Sequence, residues 1–106
     1  MQKKGYVYLL SAVDNQGNVL GKYGYSKYYP KKRLDYWKRV ITSDFEFSFI
    51  CKCKNPAKME NDIKWFIFDK NLYFLIGEHY ELFLNAKEEV VDYIKSHKFY
   101  EEVVYE

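Results

Sequence analysis

The chain has 106 residues, of which 48% are apolar and 21% aromatic, and its formal net charge is +2. That length supports one domain, residues 1–106, around one modest core, and the apolar content excludes an intrinsically disordered chain. No run approaches the roughly 20 apolar residues of a membrane-spanning helix, and Met1-Gln2-Lys3-Lys4 leads into a strand-like run rather than a signal-peptide core, so an intracellular, cytoplasmic protein with no membrane partner is expected.

Residues 7–13 are apolar and β-prone, Asp14-Asn15-Gln16-Gly17-Asn18 is a dense turn signal, and the strand pattern resumes over residues 19–26. This predicts a hairpin. Pro30 suits a first helical turn, and Leu34, Trp37, Val40 and Ile41 recur at helical spacing, which predicts an amphipathic helix over residues 30–41 with Lys31, Lys32, Asp35, Lys38 and Arg39 outside. Residues 45–54 alternate with period two, so Phe45, Phe47, Phe49, Cys51 and Cys53 are expected to share a core-facing side.

Asn55-Pro56 reads as a cap followed by proline at the first helical position, and Met59, Ile63, Phe66 and Ile67 form the stripe of a second helix to about Asp69. Residues 72–76 and 80–84 read as short extended or looped pieces around Gly77. A last helix is expected from Asn85, as cap, to about Ser96, with Val90, Val91 and Ile94 buried. The alternation in Phe99 to Glu106 allows an edge strand.

Charge is unevenly spread along the chain. Residues 22–39 carry seven bases (Lys22, Lys27, Lys31, Lys32, Arg33, Lys38, Arg39) against Asp35, whereas residues 78–106 carry eight acids against Lys87, Lys95 and Lys98. A solvated face explains many such runs. A basic segment that also carries aromatics, however, is suited to a polyanion. Cys51 and Cys53 share one strand face, and with His79 and His97 they match no zinc-finger or ribbon spacing, so both read as packing residues.

Strand, strand, helix, strand, helix in that order, with Gly5-Tyr6-Val7-Tyr8-Leu9-Leu10, then Gly24-Tyr25-Ser26, Arg33, Glu60 and Glu78-His79-Tyr80, resembles the GIY-YIG nuclease superfamily in its compact phage and large-virus branch. The resemblance covers about residues 5–83, leaving a C-terminal helix and acidic tail over 85–106. It implies an α+β fold: a small antiparallel three-stranded sheet flanked by helices in the order β-β-α-β-α-α. Carried over, Tyr8 takes the first-strand tyrosine's place, Arg33 the helix arginine's and Glu60 the metal-binding glutamate's. The second-strand tyrosine position falls on Lys22, because Tyr23 is one place too late and points to the other face. Lysine stands there in some similar members, restriction-enzyme relatives among them.

Hydrolysis of a phosphodiester needs an oriented water, neutralised phosphoryl oxygens and help for the departing oxygen. The resemblance implies Mg²⁺ (or Mn²⁺) on Glu60, consistent with a hard cation that keeps its waters and takes one or two carboxylates. From helix pattern alone Glu60 reads more readily as a surface partner of Lys64, a preference that the order of elements around it reverses. Tyr8 is the candidate base or water-orienting group, and since a phenol has an ordinary pKa near ~10, positive charge from Lys22 and Arg33 would be needed beside it. Tyr6 points the same way and could share the role. Arg33 would grip the scissile phosphate with its fork of donors. Tyr25, Ser26, Lys31, Lys32, Lys38 and Arg39 are candidate DNA-backbone contacts, while Trp37 reads as core. His79 is a candidate acid that reads more readily as structural, and Glu78 or Asn61 could orient the site.

Two functions follow. One is a metal-dependent DNA endonuclease with Tyr8, Lys22, Arg33 and Glu60 as its site. The other is a catalytically silent module on the same fold that binds nucleic acid or a protein. A homodimer or a protein partner is compatible with either, as is action in the host cell of a phage or virus.

Overall fold

The computed structural model describes residues 3–76 and 82–106, so the expectations placed on Glu78, His79 and Tyr80 lie outside the described residues. Strand β1 (Lys4–Val13) pairs antiparallel with β2 (Val19–Ser26) across the predicted turn. There the Asp14 carboxylate accepts from the backbone N–H groups of Gln16 (2.8 Å) and Asn18 (2.9 Å). Those bonds hold its pKa below the usual carboxylate value. Helix α1 (Lys31–Val40) follows, with the Pro30 carbonyl accepting from Arg33 and Leu34.

Strand β3 (Glu46–Lys54) pairs with β1 on the side away from β2, and α2 (Pro56–Asp69) starts directly after it. Then come β4 (Leu82–Leu84), α3 (Lys87–Ser96) and β5 (Tyr100–Tyr105). The sheet has five strands in the order β4-β2-β1-β3-β5, all pairings antiparallel. The expected three-stranded sheet is therefore the centre of a wider one. Three residues of β4 extend it beyond β2, and the acidic tail extends it beyond β3 as β5.

Both faces of the sheet are covered. Val7, Leu9, Tyr23, Phe49, Cys51 and Cys53 pack against Met59, Ile63 and Ile67 of α2 and Val90, Val91 and Ile94 of α3. On the opposite face Tyr8, Leu10, Ala12, Phe45, Ile50 and Leu82 form a second cluster, roofed by the partly buried Leu34, Trp37 and Ile41. Helix α1 contributes no fully buried residue, and Val40, expected inside, is exposed.

The even alternation expected for residues 45–54 is broken once. Leu9 faces Phe49 and Leu10 faces Phe47, which leaves Ser48 as an extra residue. Such a bulge exchanges the two faces of a strand. Phe45 and Phe47 accordingly pack beneath α1, whereas Phe49, Cys51 and Cys53 pack beneath α2 and α3. The Ser48 hydroxyl bonds the Leu9 carbonyl (3.3 Å) and accepts from Ser11 Oγ (2.9 Å), satisfying the bulge locally. Cys51 and Cys53 are fully buried free thiols, and the neighbouring Cys51 together with burial pushes the Cys53 thiol well up, so both behave as packing residues.

Two cap expectations change. Asn55 precedes α2 with a left-handed backbone (φ 48°) and makes no side-chain cap bond. Asn85 does not cap α3, which starts after Ala86. Instead its side-chain oxygen accepts from Val19 N–H (2.7 Å) and its amide donates to Asn18 Oδ1 (3.0 Å), tying the end of β4 to the hairpin.

Candidate functional site

Lys22 lies in the middle of an apolar row. Across the sheet it stands between Leu10 of β1 and Leu82 of β4, and it is 1% exposed. Its ammonium donates to the Tyr23 carbonyl at 2.8 Å and sits 4.1 Å from the centroid of the Trp37 ring, beneath α1. The aromatic face and the carbonyl both favour a cation. Taking an ammonium out of water costs several kcal/mol, so a buried one is held by the groups around it.

Tyr8 is the neighbour of this lysine on the same face, 2% exposed, opposite Gly24 of β2 and Ile50 of β3. Any Cβ at position 24 would collide with the Tyr8 hydroxyl and ring, so the glycine of Gly24-Tyr25-Ser26 is what lets the phenol lie flat across β2. The Trp37 indole N–H donates to the Tyr8 hydroxyl oxygen at 3.2 Å. Trp37 therefore touches both polar groups, offering its edge donor to one and its face to the other. Periodicity assigned it to the core and carried no signal of this double contact.

Tyr6 lies half-buried on the same face as Tyr8, in edge contact with Tyr29 (6.0 Å between centroids). Phe47 bridges Tyr8 (6.4 Å) and Tyr29 (6.2 Å), which makes a continuous aromatic wall beside α1. Tyr23 faces the other layer and stacks on Phe83.

Arg33 is exposed on α1, one turn before Trp37 on the same helical row. Lys31, Lys32, Lys38 and Arg39 are exposed on the same helix, as are Tyr25 at the end of β2 and Asn61 on α2. Ser26 is half-buried, its hydroxyl accepting from Tyr28 N–H (3.3 Å). Glu60 is half-buried on α2, which packs against the sheet face opposite α1. The carried-over residues are thus divided: Tyr8 and Lys22 both touch Trp37 beneath α1, Arg33 is exposed on that helix, and Glu60 belongs to the other helical layer.

His97, weighed only as a zinc ligand, is built into structure. Phe99 N–H donates to its Nδ1 (3.0 Å), so Nε2 carries the proton and donates to Asp62 Oδ2 (2.8 Å). Lys58 holds the other Asp62 oxygen at 2.8 Å, and these partners, Lys58 first, keep the Asp62 carboxyl below its ordinary value.

Among the described residues no group of three or more His, Cys, Asp or Glu could hold a metal ion, and no helix is long and apolar enough to cross a membrane. The family model described as the T5orf172 domain matches residues 5–98. The chain belongs to the T5orf172 domain family. The matched residues take in β1 to β4, all three helices and the Tyr8–Lys22–Trp37 group, leaving β5 outside, and the family is nuclease-associated. No curated protein and no solved structure matches it.

Proposed function

We propose that the protein is a metal-dependent endonuclease of GIY-YIG type that hydrolyses DNA phosphodiester bonds, with Tyr8, Lys22, Arg33 and Glu60 as its working residues. The observation that carries this reading is the buried ammonium of Lys22, seated in a row of leucines and joined through Trp37 to the Tyr8 hydroxyl. Buried ionisable groups brought together in this way are common at functional sites. Membership of a nuclease-associated family supports the same chemistry.

In this reading Tyr8 orients or deprotonates the attacking water. The N–H donated by Trp37 suits an oxygen that gives up its own proton. Lys22 supplies fixed positive charge for the phosphoryl oxygens, and Arg33 grips the same phosphate in bidentate fashion. Tyr8 and Lys22 are covered by α1, whose packing onto this face includes the partly buried Leu34 and Trp37.

Glu60 offers one hard oxygen ligand, which fits Mg²⁺ or Mn²⁺, cations that retain several waters. Such an ion would supply neutralisation of phosphoryl charge and help for a departing oxygen, from the layer opposite Tyr8 and Lys22. Lys31, Lys32, Lys38 and Arg39 make sequence-independent backbone contacts in this account.

A second reading is a catalytically silent DNA-binding module, and the near-complete burial of Tyr8 and Lys22 favours it. Supercoiled plasmid incubated with the protein, with and without Mg²⁺, beside Arg33→Ala and Glu60→Ala, separates the two. The nuclease reading expects Mg²⁺-dependent nicking that both substitutions abolish. Retarded but intact plasmid with all three proteins supports the silent module.

A further inference from the structure

Away from Tyr8 and Lys22, the start of β1, the ends of β2 and β3 and the first turn of α2 meet around a groove of about 650 Å³. Its walls include Lys3, Lys4, Lys27 and Tyr25, and Pro56 forms part of its floor. A second hollow of about 280 Å³ shares Lys4 and Lys27 with it and adds Tyr6 and Lys52 from the other face, so the two flank the sheet end. Gly5 makes this corner tight. A Cβ there would lie 2.6 Å from the Ser26 carbonyl and 2.9 Å from the Pro56 ring.

We infer that this basic end of the sheet, centred on the groove, seats a single-stranded nucleic-acid segment, separately from the catalytic pair. The inference rests on the DNA-directed reading of the protein but not on its chemistry. Four lysines line the two hollows. Lys4 pairs with Glu101 at 3.4 Å and Lys52 with Glu102 at 3.5 Å, both at the surface, where such pairs are weak and easily exchanged for phosphate. Among the described residues Lys3 and Lys27 have no carboxylate partner, which leaves them for a polyanion.

Aromatic rings decide the strandedness. Tyr25 is 41% exposed on the groove wall, and Tyr28, next to Lys27, is 72% exposed with the Lys27 ammonium 5.5 Å from its ring centroid. Exposed rings beside fixed cations offer stacking faces for unpaired bases, whereas a duplex hides its base faces and presents phosphate alone. The exposed bases of α1 suit the duplex backbone. Glu101 and Glu102 of β5 lie against the same lysines, so the acidic tail competes with the strand for them.

The test is fluorescence anisotropy in EDTA, using a labelled single-stranded DNA of about 12 nucleotides and the duplex of the same sequence. Lys27→Glu, and separately Tyr25→Ala with Tyr28→Ala, should weaken single-strand binding at least ~10-fold, the scale of losing a stacked base, with duplex binding changed less than about 2-fold. Lys31→Glu with Lys32→Glu should do the reverse. Glu101→Gln with Glu102→Gln should tighten single-strand binding. Thermal melting of each variant confirms the fold. The inference is overturned if the groove variants leave single-strand affinity unchanged, if both substrates weaken together, or if polyglutamate binds the groove as tightly as DNA. Because no cleavage is measured, absence of Mg²⁺-dependent nicking by the wild type would defeat the nuclease reading and leave this result standing.

Discussion

The Trp37 indole N–H donates to the Tyr8 hydroxyl at 3.2 Å while the face of the same indole lies 4.1 Å from the Lys22 ammonium. One residue of α1 thereby links a phenol on β1 to a cation on β2. Trp37→Phe keeps an aromatic face and removes the donor. It should cost about 1 kcal/mol of stability, the net worth of one hydrogen bond, and slow plasmid nicking by about 10-fold or more. Urea denaturation beside a nicking time course measures both. A loss of stability with no change in nicking rate would make the bond purely structural.

Gly24→Ala tests the fit of the phenol over β2. The added methyl meets the Tyr8 hydroxyl and ring, and the neighbours can relieve it only by moving Tyr8. Overpacking of this kind typically costs about 1–3 kcal/mol. The expected result is a lower urea midpoint together with loss of nicking. An unchanged midpoint would mean that Tyr8 swings aside freely.

Asp62 gives the fold a pH dependence with a definite sign. Its folded pKa is depressed, by Lys58 first and by His97 as well, so its contribution is present above the ordinary value of 3.8 and is lost as the pH falls below it. Asp62→Asn should destabilise the protein by about 0.5–1.5 kcal/mol near neutrality. The gap from wild type should close on acidification. Denaturant melts across the acid range measure it, and a gap that widens at low pH would reverse the assignment.

The helices and the three central strands were legible in the sequence because each rests on local signals: Pro30 and Pro56 at helix starts, apolar spacing such as Met59, Ile63 and Ile67, and the Asp14–Asn18 turn. The outer strands were legible in part: the alternation of Phe99 to Glu106 allowed the edge strand that β5 forms, whereas the three residues of β4, within a stretch that read as extended or looped, are too few to show a period. The bulge at Ser48 is set by pairing with β1, which local alternation does not encode. Asn85 spends its side chain on Asn18 and Val19, more than 60 residues earlier in the chain. At the candidate site the opposite faces of Lys22 and Tyr23 followed from strand alternation alone. The link through Trp37 did not, since an amphipathic pattern states which side of a helix is inside and not which atom an indole meets.

Glu60→Gln separates ligand chemistry from packing. The amide keeps the size of the side chain and removes the charge a hard cation needs. Nicking should fall at least ~100-fold in Mg²⁺, with melting temperature within a few degrees of wild type. Unaltered Mg²⁺-dependent nicking would remove Glu60 from the site, in keeping with its place on the layer opposite Tyr8.

The measurement that bears most directly on the central claim is the plasmid-nicking rate of Lys22→Met, compared with wild type at equal folded fraction. Methionine fills the row between Leu10 and Leu82 without the ammonium, and comparison at equal folded fraction separates the chemistry of Lys22 from its part in the fold. If Lys22 serves phosphodiester hydrolysis, the folded variant should nick at no more than about 1% of the wild-type rate. Wild-type nicking by Lys22→Met would contradict the account and return Lys22 to the architecture of the sheet.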